Sequence, residues 1–245
     1  MPIYFFSLKK NNSILFYLGV RHSWDPNNQQ FKAIKEKWVD FLKITQHPFV
    51  VVESRGWKIY NEEVEAILNG GEIDFMAYLC HKANVPISCF EPNRGKEMNA
   101  LLEKFSKEQI EYYYFGRAIA QWHRLTQKPD INSYLLPFLQ RDKKASGWDD
   151  FEFSIENMKK IHRKFFTTEL NFNDVEFSNK IENPTREDNP LKEIARASGK
   201  YRDQTIIDGI KNAWNQKHDL FIVYGEGHAR SHEKILREYQ LKIKK

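Results

Sequence analysis

Leu220-Phe221-Ile222-Val223-Tyr224, followed by Gly225-Glu226-Gly227-His228, reads as a buried strand that ends in glycine and then delivers an imidazole. The same pattern stands near the other end of the chain, where Ile14-Leu15-Phe16-Tyr17-Leu18 runs into Gly19-Val20-Arg21-His22. Ligand-bearing groups of α/β sheets collect at strand ends, because that rim is open to solvent while the strands are covered. The repeat therefore predicts that two chain-distant histidines meet at one sheet rim.

Working outward, the stretches Ile3 to Leu8 and Ile14 to Val20 flank Asn11-Asn12-Ser13, which is good turn chemistry, so the chain opens with a β-hairpin. Asp25-Pro26 marks a helix start, and Phe31, Ile34, Trp38, Phe41 and Leu42 recur at helical spacing, predicting a helix over about 27–44. Phe49-Val50-Val51-Val52 is the continuous apolar run of a strand covered on both faces, and it ends in Glu53. A helical stretch through Phe75, Met76, Leu79 and Cys80 follows Gly70-Gly71-Glu72, and Val85-Pro86-Ile87-Ser88-Cys89-Phe90 reads as a strand ending in Glu91. This order argues for an α/β fold with a mixed, mostly parallel central sheet flanked by helices.

The apolar positions from Met98 to Trp122 predict one or two helices packed on that sheet. Between 126 and 198 the pattern breaks up around Pro129, Pro137, Pro184 and Pro190, which suggests a helical insertion or lid within a single domain spanning 1–245. Gly199-Lys200-Tyr201-Arg202-Asp203 then opens a helix with Ile206, Ile207, Ile210 and Trp214 on one face. A closing helix is expected from about Ser231, with Ile235 and Leu236 facing inward.

Composition narrows the function. The chain has 245 residues, 41% of them hydrophobic and 29% charged, which is enough for a sizeable core in an ordinary globular protein. The net charge is +5, but 33 acidic residues are interspersed with 38 basic ones. Arg141-Asp142-Lys143-Lys144 is too short and mixed for a nucleic-acid footprint, and Lys242-Ile243-Lys244-Lys245 reads as a solvated tail. Cys80 and Cys89 form no Cys-x-x-Cys pair and read as buried free thiols. With neither a basic leader nor an apolar span at the N-terminus, the reading is a cytoplasmic protein with no membrane and no nucleic-acid partner.

The order of these pieces resembles the TraB/TIKI/ChaN-like superfamily, to which erythromycin esterases are also similar. The likeness is carried by the two Gly-x-x-His quartets, Val52-Glu53-Ser54-Arg55-Gly56 with Gly70-Gly71-Glu72, Val85-Pro86-Ile87 leading to Phe90-Glu91-Pro92, and Arg202-Asp203. Members range from metal-dependent peptidases to metal-free esterases and a haem-binding protein. The resemblance implies one pocket holding His22, Glu53, Arg202 and His228. Arg21, where a small or hydroxyl residue is more usual, and Glu226, inside the second quartet, depart from the pattern.

The residue types point the same way. Two imidazoles and a carboxylate are the donors that hold Zn²⁺ or Mn²⁺, which makes His22, Glu53 and His228 the candidate ligands. The same residues also serve without metal, with a histidine or Glu53 as general base and Arg202 steadying an oxyanion. Glu91, Asp203 and Glu226 are candidate substrate contacts, although each has a plain structural reading as a strand end, a helix first turn or a cap. His232, four residues after His228, imitates a zinc-binding pair only if the last helix starts early. The expected function is hydrolysis of an ester or amide bond in a small-molecule or peptide substrate, with a divalent metal. The alternative is a pocket that binds haem or a small anion without turnover, or a signalling protein built on the same pocket.

Overall fold

A computed structural model describes residues 3–125, 127–183 and 185–242. Pro184 and the terminal Ile243-Lys244-Lys245, to which sequence-based expectations were attached, lie outside the described residues. The chain runs β1 (Tyr4–Lys10), β2 (Ser13–Val20), α1 (Gln29–Ile44), β3 (Pro48–Val52), α2 (Glu63–Ala83), β4 (Ile87–Ser88), α3 (Arg94–Leu101), α4 (Lys107–His123), α5 (Ile131–Ser146), α6 (Ile155–Phe166), α7 (Val175–Glu182), α8 (Lys192–Asn215), β5 (Asp219–Gly225) and α9 (Glu226–Lys242). It divides into two compact units, one of residues Met1–Glu91 with Asp203–Lys245, the other of Pro92–Arg202.

The first unit holds the sheet, in the order β1-β2-β5-β3-β4. Only β1 is antiparallel to its neighbour; β2, β5, β3 and β4 run parallel, so the fold is α/β with a mixed, mostly parallel sheet. The hairpin forms as expected, with Lys10 paired to Ser13 across a two-residue turn and Asn11 at φ +52°, the left-handed conformation that asparagine tolerates. Alternation along the strands then sorts side chains onto two faces. Leu18, Val20, Val50, Val52, Phe221 and Val223 pack with Phe31, Ile34, Trp38 and Phe41 of α1 and with Phe75 and Met76 of α2. Tyr17, Val51, Ile222 and Tyr224 pack on the other face with Ile206, Ile207, Ile210 and Trp214 of α8 and with Leu236 of α9.

Parallel pairing places the carboxyl ends of β2, β5, β3 and β4 along one rim. Val20 is in register with Gly225, and Val52 with Val223. The residues just past each strand are therefore delivered to the same edge: His22 after β2, Glu53 after β3, Glu91 after β4, and His228 after β5.

Several expectations need correction. The stretch Met98 to Trp122 supplies α3 and α4, but Met98, Leu101, Ile110, Tyr112, Phe115 and Ile119 pack with Leu135, Leu139, Trp148, Met158 and Ile161, in the core of the helical unit. A helix's apolar stripe shows that it is covered, not by what. The helical unit accordingly runs from Pro92 to Arg202 rather than from 126 to 198. α2 starts at Glu63 and passes through Gly71, where φ +60° breaks the helix, instead of starting after the glycines. β4 is two residues long, α8 begins at Lys192, and α9 begins at Glu226 directly from β5, with Ile235 exposed and Leu236 buried. Cys80 and Cys89 are free and buried, and burial pushes the Cys80 thiol up to about 12. No helix among the described residues is long and apolar enough to cross a membrane.

Candidate functional site

Glu53 is the hinge of the rim. Its Oε2 accepts a hydrogen bond of 2.7 Å from the Gly225 backbone N–H, which ties the end of β3 to the end of β5. Neither quartet glycine has a positive φ; both are there for close approach. A Cβ on Gly225 would meet Glu53 Oε2 at 3.1 Å and His22 Nε2 at 4.0 Å, so the bare Cα is what lets acid and imidazole come up to it. On Gly19 a Cβ would meet Ala229 Cβ at 2.8 Å and Tyr4 Cβ at 3.0 Å, so that glycine seats α9 against the hairpin.

Each quartet histidine has its Nδ1 held by a carboxylate. His22 Nδ1 lies 2.5 Å from Oε1 of the buried Glu72, and His228 Nδ1 lies 2.8 Å from Asp203 Oδ1. Glu72 reaches His22 because α2 breaks at Gly71, against which the loop after β2 is pressed: Ser23 O stands 2.8 Å from where a Cβ would sit. With Nδ1 engaged, the Nε2 of His228 faces Glu53. His228 Nε2 lies 3.7 Å from Glu53 Oε1, and His22 Nε2 stands 4.0 Å from where a Cβ on Gly225 would sit. His22 is the exposed member, whereas His228, Glu53, Glu91 and Asp203 are each half-buried.

Among the described residues, two groups of side chains sharing His228 are close enough to grip an ion, Glu53 with Glu91 and His228, and Asp203 with His228 and His232, each with ligand atoms within 4.8 Å of one another. Distances distinguish them. Ligand atoms around a tetrahedral ion with bonds near 2.1 Å are roughly 3.4 Å apart. The His228 Nε2 to Glu53 separation of 3.7 Å matches that edge and exceeds a hydrogen bond. Asp203 Oδ1 instead lies 2.8 Å from His228 Nδ1 and 3.0 Å from His232 Nε2, hydrogen-bond lengths that protons already fill. His232 is fully buried, so that side also lacks an open position. Burial alone would raise the Asp203 carboxyl; hydrogen bonds from His228 and His232 outweigh it and hold the group well below the usual carboxylate range.

Of the residues expected from sequence, Glu53 and His228 lie within ligand distance of each other at the Gly225 end of β5, Glu91 rather than His22 completes that group, His22 stands near Gly225 outside it, and Asp203 stands behind His228 rather than before a substrate. Glu226 is turned into ion pairs with Arg21 at 3.3 Å and Arg230 at 2.6 Å. Arg202 is half-buried on α8 and falls in the helical unit. Sequence reasoning did not assign Glu72 to His22, although the two glycines before it were a sign of a backbone break there. It also set His232 aside by starting α9 too late, although the spacing of four from His228 was the usable signal. No protein-family model matches the chain, and neither a curated protein nor a solved structure matches it.

Proposed function

We propose that the protein is a hydrolase of ester or amide bonds whose rim site takes a divalent metal, in the manner of the superfamily its motif order resembles. The observation that carries this reading is the Asp203–His228 dyad, which presents Nε2 to Glu53, with a second carboxylate–imidazole dyad, Glu72–His22, at the same rim. Ligating histidines characteristically give their second nitrogen to a carboxylate, which sets ring orientation and raises ligand basicity. The donor set fits the ion: His228, Glu53 and Glu91 have ligand atoms within 4.8 Å of one another, and His22 stands outside that group.

A bound divalent ion would polarise the substrate carbonyl and acidify a water. The chain's own residues do the rest. Glu53 is anchored through Oε2 by Gly225, so Oε1 keeps a fixed position, as ligand to the ion or, without metal, as the base that takes a proton from water. His22, exposed, braced by Glu72 and outside the ligand group, is the candidate acid toward the leaving group. Arg202, the oxyanion clamp that the resemblance implies, lies in the helical unit and is assigned no contact at this site. The substrate is a small molecule or peptide, and the unpaired thiols of Cys80 and Cys89 favour a reducing compartment such as the cytoplasm.

The test combines metal analysis with hydrolysis of a generic nitrophenyl ester and a peptide library. Protein prepared without chelator should carry about one divalent ion, lose thermal stability on chelation, and lose at least 100-fold in turnover as Glu53→Gln or His228→Ala without unfolding. Metal-free protein, together with hydrolysis that survives in both variants, would sink the reading.

A further inference from the structure

We infer that His232 and Tyr17, neither of them a candidate ligand, are positioning residues that fix the proton of His228 on Nδ1 and leave its Nε2 lone pair facing Glu53. His232 Nε2 lies 3.0 Å from Asp203 Oδ1, and His232 Nδ1 lies 2.8 Å from the Tyr17 hydroxyl. Both side chains are fully buried. The proton inventory is set by the donor types.

An ionised carboxylate only accepts, so each ring nitrogen that faces Asp203 Oδ1 must carry hydrogen. His228 Nδ1–H and His232 Nε2–H therefore both donate to Oδ1. A neutral imidazole has a single N–H, which leaves His232 Nδ1 as an acceptor, and the Tyr17 O–H supplies its donor. Tyr17 cannot turn away cheaply, because its ring is stacked on Phe6 with centroids 5.1 Å apart and lies edge-on to His232 at 5.9 Å. The strand, through Tyr17, thus orients His232 on α9. His232 in turn holds the Asp203 carboxylate where His228 meets it. His228, one helical turn before His232, is left with its lone pair on the nitrogen 3.7 Å from Glu53 Oε1.

The tautomer belongs to the metal-free protein, whatever its activity; its consequence for zinc rests on the metal site proposed above. Long-range proton–nitrogen correlation spectra of ¹⁵N-histidine protein read the tautomer directly, and calorimetric titration with Zn²⁺ reads the consequence. In the wild type His228 should show a protonated Nδ1 and an unprotonated Nε2. His232→Leu should move those signals toward a tautomer mixture and weaken zinc by about 10–100-fold. His232→Gln, whose amide N–H reaches the place of Nε2, should restore both, and Tyr17→Phe should lie between. Tyr17→Phe removes a single oxygen and carries the test if His232→Leu does not fold. A wild-type His228 protonated on Nε2, or variant spectra in which its signals stay put, overturns the inference. Wild-type protein that shows the stated tautomer but takes no zinc overturns the metal site and leaves the inference standing.

Discussion

The two units bury acids for opposite ends. In the sheet unit every buried acid among the described residues is bonded: Asp219 accepts from the backbone N–H of Ile14, Gln46 and His47 at 2.9, 2.9 and 3.1 Å, Asp74 from Lys58 N–H at 3.1 Å, and Glu72 meets His22. In the helical unit Glu97 accepts from Ser198 and Asp142 from Arg141, but Glu111 on α4 has both carboxyl oxygens buried without a hydrogen-bond partner. A carboxylate with fixed donors acts as a clamp and stays charged. One without donors persists by staying neutral, and burial, then the nearby Asp142, pushes Glu111 well above the usual range against the pull of Arg94 and Arg141. The sheet unit uses its acids to hold strand ends and histidines, which is where the candidate site lies.

The sharpest way to break that contrast is Asp219→Ala. Three backbone donors from the β2 start and the loop before β3 would lose their shared acceptor, and we expect a loss of about 3–5 kcal/mol in urea unfolding, concentrated in the sheet unit. A loss under about 1 kcal/mol would mean that water replaces the clamp and that the contrast has no energetic content. Glu111 tests the other side through pH. Below the ordinary value of 4.5 it is neutral folded and unfolded, so it contributes nothing adverse. As pH rises, the unfolded chain releases this proton first, and stability falls by up to about 1.4 kcal/mol per pH unit until the folded carboxyl titrates too. Glu111→Gln keeps the shape and removes the titration, so it should flatten the stability profile of the helical unit above the ordinary carboxylate range and raise it at the upper end. A variant profile parallel to wild type would show that Glu111 is charged and satisfied after all.

Much of the sheet unit was legible because its strands are short apolar runs with punctuation. The β1–β2 turn, α1, β3 and β5 stood where alternation, helical spacing and the Asn-Asn turn put them. The convergence of His22, Glu53 and His228 was readable for the same reason, since parallel strands send their ends to one rim. What sequence could not show was the partner of an apolar stripe: α3 and α4 look alike whether covered by a sheet or by α5 and α6. Nor did it show the residues that act through others. Glu72 meets His22 only because Gly71 breaks α2, and His232 joins Asp203 only because α9 starts at Glu226, directly from β5, where Gly225 offers no capping side chain to announce it.

The smallest effects come from two glycines that share a positive φ and differ in surroundings, one in each unit. Gly147 ends α5 at φ +68°, ψ 23°, with no atom within 4 Å of a built Cβ. Alanine there meets only the left-handed backbone cost, about 1 kcal/mol. Gly71 sits at φ +60°, ψ −143°, a region almost reserved for glycine, and its Cβ would come within 2.8 Å of Ser23 O. Gly71→Ala should therefore cost about 2–3 kcal/mol. Relief of that clash requires the loop carrying His22 to move off α2, so the His22–Glu72 dyad should open as well, read as a shift of the His22 ring nitrogens that Gly147→Ala does not produce. Equal costs, or an unmoved His22 in Gly71→Ala, would mean that the break in α2 is local strain and not the device that brings Glu72 to the rim.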